Sequence, residues 1–194
     1  MSEATYLDPG LPPAQGLYDP RREHDSCGVG FVADLHNRKT HEIIAKGLEI
    51  LLNLDHRGAV GADPCAGDGC GMLVQIPHRF FVREAEKNGI ALPAPGDYAV
   101  GVFFLPRDPE GRAIVETIIE QSVAAEGQVF LGWRDVPVDS SGLGESVKPT
   151  EPAIRQIFVG RGANVGTGSA EQDLFERRLF ILRKVISNTV FDRR

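Results

Sequence analysis

Apolar and polar positions fall into segments of distinct period along the chain. From Val29 through Phe31 and Ala33 apolar residues alternate with other types, the period of a half-buried strand, and Gly28 and Gly30 leave room for another backbone or a ligand to approach. A turn over Asn37, Arg38 and Lys39 follows. Thr40 can cap a helix in which Ile44, Leu48, Leu51 and Leu52 share one face, with His56 and Arg57 in its last turn and Gly58 ending it. Further on, the pattern predicts strands over 72–76 and 98–105 with a short helix over 78–87 between them, where Asn88-Gly89 reads as a C-cap or turn.

Asp108-Pro109-Glu110 is a helix start, with Ile114, Ile118 and Ile119 facing inward and Gly127 at the stop. Strands are expected over 129–138 and 154–159, joined by a surface loop over 140–152 rich in Ser, Gly and Pro. Ser169 with Gln172 forms a capping box for a last helix whose stripe is Leu174, Arg178, Ile181, Leu182 and Val185. Thr189-Val190-Phe191 then resembles the opening of another strand, so the sequence reads as a domain cut short at its C-terminus. The order of elements suits a layered mixed architecture of helices and strands.

Composition narrows the function classes. Apolar residues make up 42% and charged residues 25%, the proportions of a soluble globular chain. The net charge of -6, with basic residues scattered among acids, argues against a nucleic-acid surface and for a small-molecule substrate. No stretch approaches the ~18 apolar residues of a membrane helix, and the Pro-rich leader 1–26 lacks the apolar core of a signal peptide, so a cytoplasmic protein without a membrane partner is expected. Three cysteines, an odd number, suit free thiols in such a compartment.

The thiol that carries chemistry is Cys27, between the leader 1–26 and the first apolar segment of 27–194. A thiol is a weak nucleophile until a base takes its proton, and cleavage before Cys27 would supply an α-amine of pKa ~8 on the same residue. The competing reading of such a cysteine is a small core hydrophobe. His56 is a rival base that would require no cleavage. Cys65 and Cys70, five apart and without nearby histidines, lack the spacing of a metal site. Gly160-Arg161-Gly162 imitates a dinucleotide fingerprint, but Val165 occupies the third glycine position, so it reads as a loop.

Four motifs, Cys27-Gly28-Val29-Gly30-Phe31, His56-Arg57-Gly58-Ala59-Val60, Gly67-Asp68-Gly69-Cys70-Gly71 and Phe175-Glu176-Arg177-Arg178-Leu179, together resemble the class II glutamine amidotransferases. More narrowly, they are similar to the N-terminal amidotransferase part of the glutamate synthase large chain. The resemblance implies an α+β fold of the N-terminal-nucleophile hydrolase type, a four-layer αββα sandwich of two mainly antiparallel sheets. It implies L-glutamine as substrate, Cys27 as nucleophile with its own amine as base, Arg57 as partner of the glutamine α-carboxylate, and Asp68 and Gly69 as shapers of the pocket. Guanidinium suits that task because it offers a planar fork to a carboxylate, whereas the bland alternative for Arg57 is a helix-end cation.

The resemblance further implies that ammonia passes to synthase domains or a synthase subunit holding FMN and an iron–sulfur cluster, with no cofactor in this chain. It also implies oxyanion donors from a downstream Asn-Gly pair, so the 194-residue chain alone is expected to show little glutaminase activity. Two other readings of the sequence stand beside this one: an inactive fragment serving as an interaction remnant, and an amidotransferase feeding another ammonia acceptor.

Overall fold

The computed structural model describes residues 13–17, 19, 28–55, 65 and 69–192. The chain divides into two compact units, residues 1–62 with 67–72, and residues 63–66 with 73–194. Helix α1, His41–Asn53, belongs to the first. The second holds α2 (His78–Glu86), β1 (Tyr98–Leu105), α3 (Pro109–Ala125), β2 (Val129–Asp135), β3 (Ala153–Gly160) and α4 (Ser169–Asp192), with a 3-10 turn at Lys148–Thr150 inside the 140–152 loop.

In the second unit, β3 lies between β1 and β2 in one antiparallel sheet, pairing Tyr98 with Gly160 at one end and Leu105 with Ala153 at the other. Between β2 and β3 the register slips: Phe130 pairs with Val159 and Gly132 with Phe158, so Leu131 is the extra residue of a bulge. Alternation along the strands sends Phe103, Leu105, Trp133, Ile157 and Val159 to one face, where they meet Ile119 and Val123 of α3 and Leu182 and Ile186 of α4. Tyr98, Val100 and Phe158 face the other way and pack, with Leu131, against Phe81 and Ala85 of α2 and Ile90. The unit is therefore helix, sheet, helix in layers, an α+β arrangement with an antiparallel sheet.

Charged side chains pin the layers at their margins. Arg155 on β3 ion-pairs with Glu116 of α3 at 2.6 Å and lies over the Trp133 ring, whose indole N–H donates to Glu120 at 2.8 Å. On the opposite face, Arg134 donates to Gln156 at 2.8 Å, reaches Glu84 of α2 at 3.4 Å and covers Phe80.

Local signals account for several elements. The Asp108 side chain accepts from the Gly111 N–H at 2.6 Å with Pro109 in the first turn, and Gly127 ends α3 at φ +70°. α2 ends in the turn at Asn88 and Gly89, the latter at φ +70°. β1 occupies the expected 98–105.

Other expectations are corrected. Segments 29–33 and 72–76 are in no strand ladder among the described residues, and their alternation finds no pairing edge there. β2 stops at Asp135 rather than 138, and Ile114 is exposed while Ile118 and Ile119 are buried. α1 closes at Asn53, short of the stop expected at Gly58, and Thr40 makes no side-chain cap bond.

Ser169 lies inside α4, where the Gln172 N–H bonds to the Gly168 carbonyl; the Gln172 side chain bonds Arg161 and Glu176, so no capping box forms. α4 also runs through Thr189, Val190 and Phe191 instead of giving way to a strand, because Val190 packs against the core and the Thr189 hydroxyl donates to the Val185 carbonyl at 2.8 Å.

Candidate functional site

The segment that follows the candidate nucleophile is described from Gly28 onward. Its side of contact is the reverse of the alternation's apparent meaning: Val29 and Phe31 are 85% and 90% exposed, while Gly28 and Gly30 are turned toward α1. A Cβ placed on Gly28 would stand 2.8 Å from Leu54 Cδ2, and one on Gly30 would stand 2.5 Å from Ile50 Cγ2. The two glycines therefore supply the close approach expected of them, and what approaches is a pair of side chains one helical turn apart. Gly47 plays the same part on α1 itself, where an added Cβ would meet Met72 Sδ at 2.5 Å.

A turn closes this segment. Asp34 accepts from the backbone N–H groups of His36 and Arg38, the Asn37 N–H bonds the Asp34 carbonyl, and Asn37 adopts φ +53°. The Arg38 side chain ion-pairs with Asp34 at 2.9 Å, and this hydrogen bonding holds the Asp34 carboxyl below its ordinary value.

Of the residues singled out in the sequence, Cys27, His56, Arg57 and Asp68 lie outside the described residues. Gly69 is described at φ +92° with open space around the position of a Cβ, so its backbone conformation, not crowding, selects glycine. Cys65 and Cys70 are exposed, and among the described residues no group of three or more His, Cys, Asp or Glu is arranged to hold a metal.

The loop after β3 is a structural hub. Arg161 is nearly buried and all five of its N–H groups are committed: Nε to Asp97 at 3.1 Å, Nη1 to the carbonyls of Gly166 and Glu171, and Nη2 to the Gly96 carbonyl and Gln172. A cavity of about 250 Å³ beside it is lined by Asp97, Arg161 and Gly162. With its donors used internally, Arg161 has none to offer an anion there. Gly162 accepts no side chain, since a Cβ would fall 1.8 Å from the Gly127 carbonyl oxygen.

Phe175 is 1% exposed, and Arg161 lies over its ring at 4.8 Å. Its motif was visible in the sequence, but its task of seating the arginine beneath α4 was not, because the partners come from residues 96, 97, 161, 166, 171 and 172.

A mixed fold of helices with an antiparallel sheet fits an amidohydrolase domain. The chain belongs to the glutamine amidotransferases class-II, whose family model matches residues 27–194. It is 43% identical over 178 residues to the glutamate synthase [NADPH] large chain of Bacillus subtilis (strain 168), covering 92% of this chain and 11% of that protein. It is 41% identical over 182 residues to the glutamate synthase [NADH] of Schizosaccharomyces pombe, covering 93% and 9%. Against the ferredoxin-dependent glutamate synthase 2, chloroplastic, of Arabidopsis thaliana, identity is 40% over 174 residues, covering 90% and 10%. The chain thus spans about a tenth of the length of these relatives. No helix among the described residues is long and apolar enough to cross a membrane.

Proposed function

We propose that the protein hydrolyses L-glutamine to glutamate and ammonia through a thioester on Cys27, and that the ammonia feeds glutamate synthesis. The observation that carries this is the start of the family match at residue 27, the cysteine whose α-amine cleavage would free. In the first step the Cys27 thiol gives its proton to that amine and the thiolate attacks the side-chain carbonyl carbon of glutamine. The oxyanion collapses, the C–N bond breaks, and the proton held by the amine leaves with ammonia. Water then attacks the thioester, giving glutamate and restoring the thiol.

Arg57 would pair with the substrate α-carboxylate, and Asp68 and Gly69 would shape the pocket wall. What supports the Cys27 assignment is that Gly28, the next residue in the chain, lies close against Leu54 at the end of α1 with no side chain between. A second sheet completing the four-layer sandwich, cytoplasmic location, and transfer of ammonia to synthase domains with FMN and an iron–sulfur cluster belong to the same proposal. No step here passes through such a cofactor.

The test is intact-mass analysis of the active protein at its natural length, paired with ammonia release from glutamine. The expected outcome is a mature chain beginning at Cys27 and complete loss of glutamine hydrolysis in Cys27→Ala. An active enzyme that retains Ser26 would sink the amine as base and favour His56.

A further inference from the structure

We infer that Gly30 and Ile50 form a positioning contact that sets where the nucleophile's segment rests on α1, an inference that builds on the role proposed above for Cys27. Going from Gly28 to Gly30, the contact moves from Leu54 back to Ile50, so the segment runs antiparallel to the helix. The spacings match, since two residues of extended chain cover about 6.6 Å and four residues of helix rise about 6 Å. Gly28 and Gly30 therefore sit on successive steps of one ridge of α1, with no side chain between backbone and ridge.

Of the two contacts, Gly30 with Ile50 is the stiffer. Leu54 touches Gly28 through a terminal methyl group, which a rotamer change can move aside. Ile50 touches Gly30 through Cγ2, which is fixed directly to its Cβ, and a β-branched side chain in a helix holds essentially one χ1. Gly30 does not adopt the left-handed φ that would itself select glycine, so closeness is what the position requires. An alanine there would put carbons 2.5 Å apart, against a comfortable ~3.5–4.0 Å, so the segment must lift by about 1 Å.

Gly28 is covalently joined to Cys27, so lifting the segment off Ile50 displaces the chain that carries the group proposed to attack glutamine. A misplacement of about 1 Å can lower a rate by about 10²-fold. The substrate anchor is untouched, so binding should hold while the chemical step slows.

The experiment measures kcat and KM for glutamine-dependent ammonia release, with thermal midpoints, on the protein at its natural length processed to Cys27. Gly30→Ala should lower kcat about 10²-fold with KM held. Adding Ile50→Leu, which keeps the volume but removes Cγ2, should restore kcat; adding Ile50→Val, which keeps Cγ2, should not. Ile50→Ala alone removes the seat without a clash and should also lower kcat at constant KM, which decides the matter even if Gly30→Ala does not fold. Wild-type kcat in Gly30→Ala or in Ile50→Ala, or a Gly30→Ala defect that Ile50→Leu leaves unrepaired, overturns the positioning contact alone. A wild-type protein without Cys27-dependent ammonia release overturns the proposed mechanism and this inference with it.

Discussion

The guanidinium carbon of Arg161 stands 4.8 Å from the ring centroid of Phe175, and every N–H of that guanidinium is bonded to the chain around it. The pair joins the end of β3 to the first turns of α4 and to the Gly96–Asp97 turn. Lysine cannot reproduce five donors in a plane. Arg161→Lys is therefore expected to lose ~2–4 kcal/mol of stability, through carbonyls left without partners, in chemical denaturation with the denaturant slope unchanged. A loss within experimental error would show the network to be dispensable.

Crowding makes Gly162 a sharper case. An added Cβ would meet the Gly127 carbonyl oxygen at 1.8 Å, and a backbone atom cannot rotate away as a side chain does. Gly162→Ala should destabilise by ~3 kcal/mol or more, lowering the melting temperature by roughly 6–12 °C for a domain of this size. Gly142 has nothing within 4 Å and no positive φ, so Gly142→Ala should be neutral or stabilising by up to ~1 kcal/mol. Equal melting temperatures for the two variants would contradict the described loop.

Burial of Tyr98 gives a dependence on alkaline pH. The ring is 3% exposed, its hydroxyl lies 3.0 Å from His78 Nδ1, and desolvation raises the phenol above its ordinary value of 10.0. The unfolded chain then releases this proton before the folded one does, so stability is intact below pH 10 and declines as pH rises through the folded value. Tyr98→Phe should give a flatter stability profile above that pH, at the expense of ~0.5–1.5 kcal/mol at neutrality for the lost hydrogen bond. Parallel profiles for the two proteins would refute the burial effect.

For Arg57, whose role is proposed, substitution by alanine should weaken the specificity constant for glutamine by the equivalent of ~2–5 kcal/mol, the usual effect of removing one partner of a desolvated charge pair. Steady-state kinetics on a folded variant decides this. An unchanged kcat/KM would make Arg57 a structural residue.

What could be read directly from the sequence was whatever short-range chemistry specifies. Asp108 and Pro109 start α3, Gly127 stops it, and the apolar run 98–105 is a strand, because caps, φ preferences and strand propensity act within a few residues. The family membership was also legible, since it rests on motifs such as Cys27-Gly28 and Phe175-Glu176-Arg177 that are strings of neighbours.

The tertiary structure decided which faces those elements bury. α4 presents Phe175, Leu182 and Ile186 to the core and leaves Ile181 exposed, a stripe turned from the one the periodicity suggests. The glycines, not Val29 and Phe31, lie against α1; Gln172 serves Arg161 rather than a helix cap; and Val190 extends a helix where its residue type suggests a strand. In each case the deciding energy came from burial or hydrogen bonding against residues distant in sequence, which outweighs local preferences of a few tenths of a kcal/mol per residue.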